Sequence, residues 1–120
     1  MWNRVFLLGL AALVLVSCAR TDPATNPTPI GDIIGATARQ VIDDSANYEG
    51  RLVKLSGEIV LECSQGCWLF LDDGTDRIYV DLKPGGITIP QMIGRQITVI
   101  GHIEGSGGNA KILGDWVGFP

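Results

Sequence analysis

The sequence predicts a mainly β domain, a five-stranded barrel preceded by one short helix. Three observations predict it. Downstream of Gly50 the apolar residues recur with a period of two, which is typical of half-buried strands. An Asp-Gly pair stands between two of these runs and indicates a tight hairpin. A glycine interrupts the longest run, where it would let a long strand bend around a small barrel.

The helix is predicted ahead of the strands, from about Ile33 to Ala46. Its apolar residues recur at helical spacing, and Asp32 stands where an N-cap residue is expected. Gly35 weakens the early part, so an irregular first half remains the alternative. The positions that predict the apolar face are Ile34, Ala38, Val41 and Ile42.

The first strand is expected to run from Val53 to Cys63. Every odd position in this stretch is apolar or small, and the even positions are polar except for Val60. This alternation predicts a strand with one face in the core. Glu62 falls on the predicted polar face, and Gly57 stands in the middle, where the strand could bend.

The other four strands are predicted at residues 67–72, 77–83, 96–104 and 110–117. A two-residue turn at Asp73-Gly74 would set Trp68 opposite Tyr79 and Phe70 opposite Arg77. The barrel interior would then be filled by Leu69, Leu71, Ile78, Val80 and Leu82. The outer face would carry the candidate ligand-binding residues Trp68, Phe70, Arg77 and Tyr79.

Two stretches resemble a known fold family. YEGRLVKLSGEIV (48–60) and LFLDDGTDRIYVDL (69–82) are similar to bacterial OB-fold domains of the nucleic-acid-binding, anticodon-like type. The Cys-x3-Cys-Trp motif at 63–68 resembles an uncharacterised family of small secreted bacterial proteins. The OB resemblance implies a closed barrel whose strands two and three commonly hold oligomeric ligands on their outer face.

This sequence departs from the OB pattern in two places. Asp76 stands where the hairpin usually has a glycine. The connection at 84–93 is so short that the usual OB helix would shrink to a turn near Pro90. A generic β-sandwich remains the alternative fold.

The N-terminus predicts export. A basic start is followed by the 12 apolar residues Val5–Val16, too short a run to span roughly 30 Å of hydrocarbon as a helix. Leu15-Val16-Ser17-Cys18 resembles the lipobox of bacterial lipoproteins, which implies lipidation of Cys18 and cleavage before it. Alternatives are an ordinary signal peptide or an uncleaved anchor.

The predicted organisation has three parts. Residues 1–17 are a lipoprotein signal peptide, and residues 18–31 are the lipidated cysteine and a flexible, proline-rich tether. Residues 32–120 hold the helix and the OB-fold-like barrel. The implied location is the cell envelope, on the extracytoplasmic side, which is periplasmic in a Gram-negative cell.

Cys63 and Cys67 would be the remaining cysteines of an exported chain. A hairpin loop at Ser64-Gln65-Gly66 would make them cross-strand partners with Cα atoms roughly 5 Å apart, within disulfide range. An oxidising compartment favours a structural disulfide. A redox-active pair, free thiols and metal ligation remain open, although a closed zinc site needs four ligands.

Composition argues against an enzyme and against a nucleic-acid binder. His102 is the single histidine, is expected on a solvated face, and belongs to no nucleophile motif. The clustered aspartates Asp72, Asp73, Asp76 and Asp81 are interpreted as turn formers, and no metal or other cofactor is expected. Residues 50–120 hold six Lys/Arg and eight Asp/Glu, without the basic excess that phosphate binding uses.

The function predicted from sequence is therefore a lipid-anchored, non-enzymatic binding module of the envelope. Its partners would be the membrane, through the lipid, and an envelope ligand or protein. The outer aromatic residues could stack on sugars or bases or anchor a protein, unless the 33–46 helix covers them. The alternatives are a thiol redox or metal stress-response protein acting through Cys63 and Cys67, and a nucleic-acid-binding OB domain.

Overall fold

The structure, a computed structural model, describes residues 31–120. The predicted signal peptide (1–17), the lipidation site Cys18 and the tether up to residue 30 lie outside the described residues. None of the helices in residues 31–120 has the length and apolar character needed to cross a membrane.

Residues 31–120 form six strands, two short helices and one 3-10 turn. In chain order these are β1 (Ile33–Gly35), α1 (Ala38–Asp43), α2 (Ser45–Tyr48), β2 (Leu52–Glu62), β3 (Trp68–Asp72), β4 (Arg77–Asp81), β5 (Gln96–Glu104), the 3-10 turn Gly107–Asn109 and β6 (Lys111–Gly118). All five predicted strands are confirmed, with each end within two residues of the predicted one.

Five of the strands close into a barrel. They are hydrogen-bonded in the order β2-β3-β4-β6-β5, and β5 pairs back onto β2. The pairs are antiparallel except for β4 with β6, which is parallel over three residues. This arrangement confirms the predicted mainly β, OB-fold-like barrel. The additional strand β1 lies outside it, parallel to the start of β2.

The barrel interior holds the side chains that the alternation predicted. Leu69, Leu71, Ile78, Val80 and Leu82 are all at most 1% exposed. Because a closed sheet leaves two open ends, other segments must cover the apolar interior there. At one end α1 contributes Ala38 and Val41 to the core, beside the β3–β4 hairpin. At the other end the connection from β4 to β5 contributes Ile87 and Ile89.

That connection contains turns at residues 83–86 and 92–95 and no helix. It is held against the β2–β3 loop because the Ile89 N–H donates to the Gly66 carbonyl at 3.1 Å. The thiol-bearing loop and the connection therefore share one end of the barrel, opposite α1.

The predicted helix from Ile33 is wrong in its first half, and so is its N-cap at Asp32. Residues 33–35 pair as a strand with residues 52–54. The helix begins after Thr37, whose Oγ1 accepts from the Gln40 N–H at 3.1 Å while Gln40 Oε1 accepts from the Thr37 N–H at 3.0 Å. This reciprocal cap stabilises the helix start there. Upstream, the free edge of β2 offers the backbone partners that a strand needs.

A β-bulge at Val60 corrects the predicted faces of the end of β2. The register shifts between Ile59, which pairs with Leu71, and Leu61, which pairs with Phe70. Leu61, predicted to point inward, is 49% exposed, and Glu62, predicted to face solvent, is 8% exposed. The extra residue reverses the alternation beyond it.

The β3–β4 hairpin has a four-residue loop in place of the predicted two-residue turn. Asp72 pairs with Arg77, Phe70 with Tyr79 and Trp68 with Asp81, a register two residues from the predicted one. The loop is stabilised by Asp73 Oδ1, which accepts from the N–H groups of Thr75 (3.0 Å) and Asp76 (3.3 Å). A shift of two residues leaves every side chain on its predicted face.

Candidate functional site

Three aromatic side chains lie together on the outer face of β3 and β4. The ring centroids of Trp68 and Tyr79 are 5.9 Å apart, and those of Phe70 and Tyr79 are 5.4 Å apart. All three residues are partly buried, and none belongs to the barrel core. The three aromatic residues predicted to share an outer face are therefore in contact.

The predicted alternative, in which the helix covers these residues, does not hold for Trp68, although α1 contacts β4. α1 lies beside the β3–β4 hairpin, where the Ala38 N–H donates to Asp73 Oδ2 at 2.7 Å. Trp68 begins β3 at its other end, next to the thiol-bearing loop. The buried residues of α1 point into the core.

Leu61 extends the aromatic face onto β2. It pairs with Phe70 across the strands and is 49% exposed because of the bulge. We call Leu61, Trp68, Phe70 and Tyr79 the apolar patch. Sequence reasoning missed Leu61 as a surface residue. The one sequence feature that pointed to the bulge was Val60, the apolar residue that interrupts the alternation.

The rings of the patch do not form one flat platform. Trp68 and Phe70 meet at 86° and Phe70 and Tyr79 at 69°, so two of the three ring pairs are edge-to-face. Such a surface differs from the flat aromatic face on which successive bases or sugar rings stack.

Charged residues border the patch on both sides. The predicted site residue Arg77 is exposed, and its Nε donates to Asp72 Oδ2 at 3.2 Å. Asp81 pairs with Trp68 across β3–β4, and Lys111 pairs with Tyr79 across β4–β6. Burial, with a smaller contribution from the Asp81 carboxylate, raises the pKa of Tyr79. Its phenol therefore stays neutral at physiological pH.

Cys63 and Cys67 lie at the edge of the patch, immediately before Trp68. Their Sγ atoms are 3.1 Å apart, and both cysteines are free thiols in this structure. The loop between them turns at Gly66, whose φ is +70°. The predicted direct pairing of the cysteines is wrong. The Cys63 N–H donates to the Trp68 carbonyl, and the Leu82 N–H donates to the Cys67 carbonyl.

The two thiols are not equivalent. Cys63 Sγ accepts hydrogen bonds from the Cys67 thiol and from the Gln65 N–H (3.4 Å). The bond from Cys67, followed by that from Gln65, lowers the pKa of Cys63. The same thiol–thiol bond, together with desolvation, raises the pKa of Cys67. The charge of Lys83 makes a smaller contribution that favours the thiolate form of both cysteines.

The remaining polar candidates have local roles. Asp72 Oδ1 accepts from the Gly74 N–H at 2.9 Å, as expected of a turn former. His102 lies on the outer face of β5 with Nδ1 2.6 Å from Asp115 Oδ2, a pair that sequence reasoning missed. Across residues 31–120 no three His, Cys, Asp or Glu side chains are grouped as metal ligands.

Comparison with known proteins supports the fold. No protein-family model and no curated protein matches the chain. Among solved structures, the hypothetical protein ygiW from E. coli is similar, with a TM-score of 0.51 and 18% identity over 73% of this chain and 97% of that one. The S. pombe Stn1-Ten1 complex is also similar, with a TM-score of 0.56 and 14% identity over 78% of this chain and 81% of that one. At these identities the likeness concerns the fold alone.

Proposed function

We propose that this protein is a lipid-anchored, extracytoplasmic binding module that does not act as an enzyme, and that its apolar patch receives an apolar segment of a polypeptide. The observation that carries the proposal is the patch itself. Three aromatic side chains contact one another outside the core, and Leu61, which pairs with Phe70 across β2 and β3, is half exposed. Grouped apolar residues outside the core of a small domain are typical of interaction sites.

The chemistry around the patch favours a polypeptide over a nucleic acid. Removing Arg4 with the signal peptide leaves eight Lys/Arg against 13 Asp/Glu, a net charge of −5. Such a chain repels phosphates. Arg77, a cation bordering the patch, is already paired with Asp72. The edge-to-face rings do not form a flat stacking face, and the neutral Tyr79 phenol offers a hydrogen bond to a peptide backbone.

The anchor is proposed from the motif Leu15-Val16-Ser17-Cys18 and the tether that follows it. Thirteen residues between Cys18 and Asp32 reach at most roughly 45 Å when fully extended. The tether would therefore let the module meet partners close to the membrane surface.

Binding of defined probes tests the proposal. Fluorescence anisotropy of the full-length protein in detergent would be measured with three labelled probes: a peptide rich in leucine and phenylalanine, a single-stranded oligonucleotide and a chitin oligosaccharide. We expect the peptide to bind. We expect Leu61→Ser to weaken its binding at least about tenfold, the effect of losing about 1.4 kcal/mol.

Phe119→Ser is the matched control. Phe119 is 51% exposed and lies outside the patch, next to Trp116 and Pro120. Equal weakening by the two substitutions would show that the peptide binds without using the patch. Salt-sensitive binding of the oligonucleotide would show that the ligand is a nucleic acid and not a polypeptide. Binding of the oligosaccharide, if Leu61→Ser weakens it, would show that the ligand is a carbohydrate.

A further inference from the structure

We propose that Cys63 and Cys67 form a thiol–disulfide exchange couple, in which Cys63 attacks and Cys67 resolves, acting on disulfides carried by apolar polypeptide segments. The couple adds a covalent step to a module that otherwise only binds. Three features carry it: the position of the two sulfurs, the difference between them, and the patch next to them.

The two sulfurs are placed so that a bond can form with little movement. They are 3.1 Å apart, and a disulfide bond needs about 2.05 Å. The loop backbone is held at several points, since the N–H groups of Gly66 and Leu82 donate to the carbonyls of Cys63 (2.8 Å) and Cys67 (3.0 Å). Rotation of the side chains, without unfolding of the loop, can therefore close the bond.

The hydrogen bonds assign different roles to the two thiols. The thiolate is the nucleophile in exchange, and donors that point at a sulfur favour its thiolate. Cys63 Sγ accepts from both Cys67 and Gln65, which makes it the attacking sulfur. Cys67, the donor, keeps its proton until the leaving thiolate of the first step takes it up. Both side chains are partly exposed, so a disulfide in solution can reach them.

The reaction is a two-electron reduction of the substrate disulfide. The Cys63 thiolate attacks one sulfur of R–S–S–R′. A bond forms between Cys63 Sγ and the sulfur of R–S as the substrate S–S bond breaks. The leaving R′S⁻ takes up the proton of Cys67 and departs as R′SH. The Cys67 thiolate then attacks Cys63 Sγ and releases RS⁻. Two electrons pass from the dithiol to the substrate, and the Cys63–Cys67 disulfide predicted from the sequence is the oxidised product.

The patch indicates which disulfides are favoured. Trp68 directly follows Cys67, and its ring lies 5.9 Å from that of Tyr79. A polypeptide segment on the patch would hold its own disulfide beside Cys63. This preference rests on the proposed function, whereas the exchange itself does not.

Stoichiometry with a chromogenic aryl disulfide tests the exchange. The full-length chain would carry Cys18→Ser, so that Cys63 and Cys67 are its only cysteines, and would be reduced before use. We expect two equivalents of aryl thiol per chain and a 63–67 peptide two hydrogens lighter. Cys67→Ser should stop at one equivalent, with a stable mixed disulfide on Cys63, and Cys63→Ser should react severalfold more slowly.

A second pair of variants tests the hydrogen bond. Serine at position 67 keeps a donor and alanine does not, so Cys67→Ala should shift the pH dependence of Cys63 alkylation upward relative to Cys67→Ser. Equal reaction rates of Cys63→Ser and Cys67→Ser would overturn the assignment of roles. Two mixed disulfides on the unsubstituted pair would overturn the couple.

The substrate preference is tested by comparing an apolar peptide disulfide with glutathione disulfide. Leu61→Ser should slow the reaction with the peptide only, and Phe119→Ser should slow neither. Intact stoichiometry without any peptide preference would contradict the role of the patch and leave the exchange standing. Peptide binding without any thiol–disulfide exchange would contradict the exchange couple and leave the binding role of the patch standing.

Discussion

Gly66 is the residue that holds the thiol pair in place. Its φ is +70°, a conformation that residues with a Cβ rarely adopt. A Cβ at this position would lie 1.9 Å from the Ile89 carbonyl oxygen, which belongs to the connection packed over the loop. One residue thus serves the turn between the cysteines and the contact that closes this end of the barrel.

We predict that Gly66→Ala lowers the free energy of unfolding by at least about 3 kcal/mol, whereas Gly74→Ala costs about 1 kcal/mol. Both glycines have positive φ, but a Cβ at Gly74 would meet nothing within 4 Å. Urea denaturation of the two variants measures the difference. Equal losses would mean that the Ile89 carbonyl moves aside without cost.

The elements of this fold are short and depend on contacts between them. α1 has six residues, too few to persist alone in water. Asp73, in the β3–β4 loop, accepts from the Ala38 N–H at the start of α1 and from three groups of its own loop. The carboxylate therefore couples the hairpin to the helix that covers this end of the barrel.

We predict that Asp73→Asn destabilises the protein at neutral pH and that its effect disappears in acid. Desolvation raises the pKa of Asp73, but hydrogen bonds from Thr75, Ala38 and Asp76 outweigh it, and the net pKa is lowered below 3.8. Because the pKa of Asp73 is lower in the folded state than in the unfolded state, the ionised carboxylate stabilises the fold at pH values above the unfolded-state pKa. This stabilisation is lost as the pH falls through the folded-state pKa.

Thermal unfolding from pH 7 to pH 2 checks this dependence. At pH 7, Asp73→Asn should lower the free energy of unfolding by about 1 kcal/mol. This difference from the unsubstituted protein should shrink below pH 4. Asp43→Asn is the control, because Asp43 is exposed at the end of α1 and lies outside this set of contacts. A loss that stays constant with pH would show that charge on Asp73 plays no part.

In the whole molecule, the thiols and Trp68 lie at the end of the barrel opposite the point where the described chain enters it. β1 pairs with the start of β2, whereas Leu69 pairs with Glu62 at the end of β2. The thiols and Trp68 therefore lie across the barrel from β1 and α1.

We predict that Cys18→Ser abolishes incorporation of labelled fatty acid and blocks lipoprotein-type processing. The lipobox resemblance assigns the acyl chains to this one sulfur, and acylation needs its thiol. Cys63→Ala with Cys67→Ala is the control and should leave labelling unchanged. Fatty acid retained in Cys18→Ser would defeat the lipid anchor while leaving the barrel and its patch as described.

The sequence by itself determined the five barrel strands and the faces of residues 68–82. Alternation is a local property of the chain, so it is readable without a partner strand, and the two-residue error in the hairpin register preserved every face. The position of the turn at Gly66 was also readable, because glycine adopts a positive φ most readily, but the pairing of the cysteines on either side of it was not.

Only the tertiary structure decided three other features. Residues 33–35 became a strand because the edge of β2, about twenty residues later in the chain, supplies their partners. The bulge at Val60 exposed Leu61 and buried Glu62 because β3 accommodates an extra residue there. Cys63 and Cys67 meet through their side chains rather than as paired strand residues, because Trp68 and Leu82 take up their backbone hydrogen bonds. Each outcome depends on a partner distant in the chain, and a local pattern carries no information about which partner is near.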